Sequence, residues 1–247
     1  HVSKVNAARP EIETRNSGRA ALFNQTLSPG IVVVRGMVQW TLWSEEVVVE
    51  DRKLRIAAVG DELLAGLGDP RALGWLGRVL ARTPQDGLSL ECYSLPCPQE
   101  GTEGLAARWF DEAGRRFNSH HENRLVIGLS GRDVEFGLST ARSRLNLANI
   151  LDSASQSKIE VFVVGPPPSL DPAQNRRLGE LNTAFADVTT RRKHLYVDTY
   201  SPLLNHEQWR QDLAANGGTP GQAGYGLMAW LVLHRGWFQW LGMDAPE

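Results

Sequence analysis

The sequence predicts a three-layer α/β/α fold around a five-stranded parallel sheet. Five short, mostly apolar runs alternate with amphipathic segments between residues 54 and 242. Such alternation is typical of βαβ units, whose strands are parallel and whose helices cover both faces of the sheet. The run "LRIAAVG" at 54–60 lacks the polar alternation of a half-exposed strand, so we expect both of its faces to be buried.

Each element follows from a local pattern. The predicted strands are residues 54–60, 88–96, 124–130, 159–168 and 194–202. The predicted helices are residues 74–83, 101–117, 139–157, 173–192 and 222–242. In the third helix either Ser139 or Thr140 is the expected N-cap. Its inward face is expected to carry Leu145, Ala148, Ile150 and Leu151.

The first 52 residues differ from the rest of the chain. They are rich in polar and turn residues and show no sustained period, apart from a stretch at 32–50 that is compatible with a strand or hairpin. We therefore expect an irregular N-terminal extension at 1–52 and one domain at 53–247.

Composition narrows the class of function. With 26 basic and 28 acidic residues the net charge is -2, which argues against a general nucleic-acid binder. We expect no membrane span, because no run of about 18 apolar residues occurs. Two cysteines, Cys92 and Cys97, are expected to be unpaired thiols, which indicates a reducing, cytoplasmic setting. No metal site or cofactor is expected, because the pair lacks the further ligands that zinc needs.

Polar clusters follow four of the predicted elements. They lie at 60–62, 131–133, 198–199 and 216–220. Ligands of parallel α/β sheets bind at the carboxyl ends of the strands, so we expect these clusters to converge on one edge.

The motifs at this edge resemble those of the SGNH, or GDSL-type, esterase and lipase family. Gly60-Asp61-Glu62-Leu63 aligns with the G-D-S-L block, and Gly131-Arg132-Asp133 with the G-x-N-D block. Residues 216–220 align with the D-x-x-H-P block before the closing helix. The likeness extends from Leu54 to Gly242 and implies the flavodoxin-like SGNH-hydrolase fold.

The family mechanism is not preserved in these blocks. The resemblance implies a Ser nucleophile, a His base and an orienting Asp, but Glu62, Thr219 and Asn216 occupy those positions. It also implies an oxyanion hole from the Ser N–H, a second-block Gly N–H and an Asn side chain. Arg132 stands at the Asn position, and the second-block Gly aligns with either Pro96 or Gly101.

Several roles remain open for these residues. Glu62 is a base acting on water, a ligand-binding acid, or a turn residue, and an ion pair with Arg132 is a further hypothesis. Asp61 is expected to stabilise the turn by accepting backbone N–H groups, and Asp133 to orient Arg132 or cap a segment. His206 is the alternative base, because histidine titrates near neutral pH.

We therefore expect an SGNH-like domain with a replaced triad that is inactive or weakly active toward esters and acts by binding a small acyl- or ester-like ligand. The alternative is an active carboxylic-ester hydrolase or acyltransferase with a rearranged site. A third alternative is a scaffold or interaction domain that uses the N-terminal extension and the last helix, with its tryptophans Trp230, Trp237 and Trp240.

Overall fold

The computed structural model describes residues 51–245, and within them a five-stranded sheet forms the centre of the fold. All neighbouring strands are parallel, in the order β2-β1-β3-β4-β5. The strands are β1 (Arg52–Gly60), β2 (Leu88–Pro96), β3 (Glu122–Gly128), β4 (Glu160–Val164) and β5 (Leu195–Val197). This confirms the predicted five-stranded parallel sheet in the flavodoxin-like order.

Ten α-helices, with a π-helical segment (Leu233–Trp237) between the last two, connect and cover these strands in the described part of the chain. They are α1 (Glu62–Ala65), α2 (Gly74–Leu80), α3 (Thr102–Gly114), α4 (Arg132–Glu135), α5 (Thr140–Gln156), α6 (Pro172–Arg191), α7 (Tyr200–Leu204), α8 (Glu207–Ala215), α9 (Gln222–Val232) and α10 (Phe238–Leu241). Helices α3, α5 and α6 pack together on one face of the sheet, and α2, α8 and α9 on the other. The three layers are therefore those that the sequence predicted.

Strand β1 shows why its sequence is apolar without alternation. Ile56 and Ala58 belong to the core beneath α2 and α9, whereas Ala57 and Val59 belong to the core beneath α3 and α5. All four side chains are fully buried. A strand covered on both faces has no solvent side on which a polar residue would be favourable.

Two predicted strands are shorter than expected. Strand β4 ends at Val164 because the prolines at 166–168 have no N–H to donate to a ladder. Strand β5 ends at Val197, and the residues that follow Thr199 turn into helix α7 instead of extending the strand to 202.

The long C-terminal helix predicted at 222–242 is wrong as a single helix. Its backbone breaks at Arg235 and Gly236, where Gly236 has φ +109°, a conformation that glycine adopts with little strain. The tryptophans separate accordingly, because Trp237 and Trp240 are buried whereas Trp230 is half exposed. In helix α5 Ser139 is the N-cap as expected, but Leu145 faces solvent rather than the core.

Some of the predictions concern residues that the structure does not describe. The extension at 1–52 and its strand or hairpin at 32–50 lie almost entirely outside the described residues, and strand β1 begins at Arg52. Cys92 and Cys97 are both unpaired. None of the helices between residues 51 and 245 is long and apolar enough to cross a membrane.

Candidate functional site

The candidate site lies where the strand order reverses. In the sheet, β1 has β2 on one side and β3 on the other. The chain therefore leaves β1 and β3 in opposite directions, and a crevice remains at the carboxyl ends of these two strands. Gly60 ends β1 within this crevice, and a Cβ atom there would lie 2.6 Å from the Gly128 carbonyl oxygen. Glycine at position 60 thus allows the two strand ends to approach closely.

Asp61 builds the turn that leaves β1. Its carboxylate accepts the Leu63 N–H at 2.9 Å and is the N-cap of helix α1, as the sequence predicted. Burial raises the pKa of Asp61 to about 6, against the opposing effects of a hydrogen bond from Ser130 and the bond from Leu63. Asp61 is therefore a turn residue whose side chain points away from solvent, with 3% exposure.

Glu62, which the sequence alignment placed at the nucleophile position of the family motif, has a carboxylate that is bound from two sides. Oε2 accepts the Gln99 backbone N–H at 2.7 Å, and Oε1 is paired with the Arg132 guanidinium. Burial raises the pKa of Glu62, but the N–H groups of Gln99 and Glu62 itself and the charge of Arg132 outweigh burial, so the pKa lies below its usual value. The hypothesis of a Glu62–Arg132 ion pair is confirmed.

Arg132 is shared among three carboxylates. Besides Glu62, its guanidinium pairs with Glu135, and its Nε lies 3.7 Å from Asp61 Oδ2. Three acids and one base give this part of the site a formal charge of minus two when all four groups are ionised. Gly131 precedes Arg132 and is the N-cap residue of helix α4.

Gln99 is a site residue that the sequence analysis missed. The candidates for the second-block glycine were Pro96 and Gly101, but Pro96 ends β2 and Gly101 precedes helix α3. It is the Gln99 N–H that reaches Glu62, from a backbone with φ +56°. This left-handed conformation favours glycine. Because the residue here is glutamine, a glycine motif in the sequence does not identify the position.

Arg108 fixes the loop that carries Gln99. Its guanidinium donates to the Leu95 carbonyl at 2.9 Å and to the Gly60 carbonyl at 3.3 Å, and both carboxylate oxygens of Glu100 accept from it at 2.6 Å. One side chain from α3 therefore ties the ends of β1 and β2 to the residue next to Gln99.

The loop at the third motif is held by Asn216. Its amide donates to the carbonyls of Gly68 and Thr219, both at 3.1 Å, and to that of Pro220 at 3.3 Å. Thr219 borders the cavity, whereas the Asn216 amide is engaged with backbone. The two residues that the sequence alignment placed at the positions of the orienting acid and the base are thus an amide bound to backbone carbonyls and a hydroxyl.

Two further candidates lie away from the cavity wall. Asp133 is buried and accepts the Thr102 N–H and hydroxyl, both at 2.7 Å, so it joins α4 to the start of α3. His206 is an exposed residue at the N-cap of helix α8 and is not part of the wall.

The cavity itself has a volume of about 160 Å³. Its charged lining consists of Asp61, Glu62, Arg132 and Glu135. Its apolar lining includes the prolines that follow β4, Leu178 of α6 and Trp209 of α8. Among the described residues that line the cavity there is no histidine. Within residues 51–245, no three His, Cys, Asp or Glu side chains are grouped so that they could hold a metal ion.

Comparison with known proteins agrees with this fold. Residues 58–227, more than half of the chain, match the model of the GDSL-like lipase/acylhydrolase family. The chain belongs to the GDSL-like lipase/acylhydrolase family. No curated protein matches it significantly by sequence.

Solved structures of similar fold include several esterases. The structure of TesA is 21% identical, with a TM-score of 0.60, and the match covers 72% of this chain and 95% of TesA. Axe2, an acetylxylan esterase from Geobacillus stearothermophilus, is 16% identical, with a TM-score of 0.63 and coverage of 80% and 99%. The lipase/acylhydrolase from Enterococcus faecalis is 19% identical, with a TM-score of 0.59 and coverage of 78% and 99%. At these identities the likeness concerns the fold.

Proposed function

We propose that this GDSL-family chain does not hydrolyse esters by the Ser-His-Asp route and acts by binding a small acyl- or ester-like ligand in the cavity at the ends of β1 and β3. The observation that carries the proposal is the state of Glu62. A carboxylate replaces the hydroxyl at the nucleophile position, and it is engaged by Arg132 and by the Gln99 N–H.

Glu62 is a poor replacement for a serine nucleophile. Attack of a carboxylate on an ester carbonyl would give a mixed anhydride of high energy, and the low pKa of Glu62 makes the carboxylate still less nucleophilic. Thr219, at the position of the base, has a hydroxyl that takes up no proton near pH 7. Residual catalysis in serine hydrolases that lack their triad is only about 10³–10⁴ over water.

Binding is favoured by what the site retains. Apolar walls beside a few fixed polar groups are the usual composition of a small-molecule site. The prolines that follow β4 give one wall a rigid backbone, and Trp209 is held by a hydrogen bond from its indole N–H to the Pro168 carbonyl at 3.1 Å.

The unpaired thiols Cys92 and Cys97 support a reducing compartment such as the cytoplasm for this chain.

An active hydrolase is the second candidate, because one Ser–His contact occurs elsewhere. Ser155 Oγ lies 3.1 Å from His194 Nε2. Both residues precede strands, β4 and β5, so the pair lies at the amino ends of the strands, opposite to the cavity. Burial lowers the pKa of His194, so its ring is neutral near pH 7 and able to accept a proton. However, Ser155 is in the last turn of helix α5, where backbone carbonyls rather than N–H groups are free, and such an end does not stabilise an oxyanion.

Hydrolysis of p-nitrophenyl acetate and butyrate tests these candidates. We expect at most weak turnover by the wild-type chain, and the same rate for Glu62→Ala and Ser155→Ala. Wild-type turnover that Glu62→Ala abolishes would show Glu62 to be catalytic and would overturn the proposal. Turnover that Ser155→Ala abolishes would establish the second candidate instead.

Binding is measured separately, with methyl butyrate as the probe. We expect saturable shifts of the Gly131 and Thr219 amide resonances in ¹H–¹⁵N spectra, because both residues border the cavity. Gly114, at the far end of α3, serves as the internal control and should not shift. An unchanged spectrum over the solubility range of the ester would contradict the binding half of the proposal.

A further inference from the structure

The carboxylate of Glu62 lies among donors arranged as they would be around a bound anion. Two groups converge on it: the Gln99 N–H at 2.7 Å and the Arg132 guanidinium. The side chain is 12% exposed, so the carboxylate is largely removed from water. Hydrogen bonds between such charged and oriented groups are about twice as strong as neutral ones.

Gln99 indicates that this arrangement is maintained at a cost. Its φ of +56° is unfavourable for a residue with a side chain. The strained backbone directs its N–H at the Glu62 carboxylate, and the neighbouring Glu100 is held by Arg108.

We infer that Glu62 is an internal ligand that occupies a carboxylate-binding site, and that a small carboxylate from solution, such as formate or acetate, takes its place when the Glu62 side chain is removed. This rests on the proposed function in that Glu62 is taken as part of a binding site and not as a catalyst. In the wild-type chain the same site is closed to external anions.

Charge explains the closure. Asp61, Glu62 and Glu135 already share Arg132, so an additional carboxylate would be the fourth around one guanidinium. A tethered carboxylate also competes at a high effective concentration, whereas a free one must lose its translational freedom. Removal of Glu62 frees the Gln99 N–H and one face of Arg132, and acetate then restores the charge of the wild-type site.

Titration of Glu62→Ala with sodium acetate and sodium formate tests this inference. We expect the Gln99 amide resonance of Glu62→Ala to shift saturably, with an affinity at least about tenfold above that of the wild-type chain. Sodium chloride at equal ionic strength should give no saturable shift, because a spherical ion cannot meet both sets of donors as a planar carboxylate does.

Glu135→Ala is the matched control. It also removes one carboxylate from Arg132, but it leaves Glu62 on the Gln99 N–H, so the amide should not respond to acetate. Glu62→Ser is the second variant, should Glu62→Ala not fold, because it too removes the carboxylate. Equal responses of the Glu62 and Glu135 variants, or no saturable response of either Glu62 variant, would overturn the inference.

The two proposals can fail separately. Ester hydrolysis by the wild-type chain would overturn the proposed function while leaving the anion titration of the variants to be judged on its own. Absence of acetate binding by Glu62→Ala and Glu62→Ser would overturn the internal ligand and would leave the hydrolysis result unchanged.

Discussion

A buried ion pair beside the site gives the sharpest prediction on stability. Asp69 accepts the N–H groups of Arg71, Leu73 and Gly74 at 3.0–3.1 Å, and both of its oxygens are paired with the Arg78 guanidinium. Its side chain is fully buried and that of Arg78 is 9% exposed. Asp69 thereby holds the loop between α1 and α2, which places Leu67 on the wall of the cavity.

Asp69→Asn removes the charge and keeps the shape. The amide oxygen can still accept backbone N–H groups, but Arg78 is left as a buried cation without an anion. Breaking a buried pair in this way typically costs about 3–5 kcal/mol, a large part of the about 5–15 kcal/mol that stabilises a domain. The double variant Asp69→Asn/Arg78→Leu removes the unpaired charge and should recover at least about 1 kcal/mol of that loss.

Urea unfolding at several pH values measures both effects. The hydrogen bond from Arg78 holds the pKa of Asp69 well below its usual range, despite the opposing effect of burial. Its contribution to stability is therefore complete above about pH 4, the usual aspartate pKa, and is lost as the pH falls further. Wild type should lose stability more steeply than Asp69→Asn below pH 4. A cost of Asp69→Asn under about 1 kcal/mol at pH 7, or a double variant no more stable than the single one, would refute the reasoning.

Three further predictions concern single groups. Burial raises the pKa of Cys92 to about 12, so iodoacetamide at pH 8 should alkylate Cys92 more slowly than Cys97, as followed by mass spectrometry. Gly165→Ala should destabilise the fold by about 1–3 kcal/mol in urea, because the new Cβ would lie 2.2 Å from the Tyr196 hydroxyl. The raised pKa of Asp61, about 6, contributes stability that is present below about pH 4 and lost as the pH rises through 6, so wild type should lose stability relative to Asp61→Asn over that range.

Each of these predictions has an outcome that would contradict it. Equal alkylation of the two thiols would contradict the burial argument. Gly114→Ala is the control for Gly165→Ala, since its Cβ would meet nothing within 4 Å, and equal stability of the two variants would refute the steric reasoning. A stability difference between wild type and Asp61→Asn that does not change between pH 4 and 7 would show that Asp61 does not titrate in the folded chain.

The fold was predictable because its periodicity is local. Ile56, Ala57, Ala58 and Val59 are apolar in succession because each contacts one of two helix layers, and that pattern is visible without a structure. Strand and helix ends were less predictable. Gly236 breaks the last helix by a positive φ, and nothing in the surrounding apolar pattern distinguishes it from a glycine inside a helix.

The site was predictable only in part. Sequence reasoning placed Glu62 and Arg132 at the ends of two neighbouring strands, and the hypothesis of their ion pair followed from opposite charges at one edge of a parallel sheet. Gln99 could not be found this way, because it acts through its backbone N–H, which every residue except proline possesses. Glu135 was missed because its pairing depends on the short helix α4, which places it one turn after Arg132.

The charges of the site explain why Glu62 and Arg132 occur together. A glutamate at position 62 beside an amide at position 132 would add a buried anion next to Asp61 without a cation to compensate it, which is costly in a partly desolvated crevice. An arginine at position 132 beside a serine at 62 would leave part of the guanidinium unpaired. When both residues are present, the Glu62 carboxylate and the Arg132 guanidinium neutralise each other's charge, and the carboxylate also accepts the Gln99 N–H. The two residues are thus physically coupled, and their contacts support the proposal that Glu62 is an internal ligand of a carboxylate site.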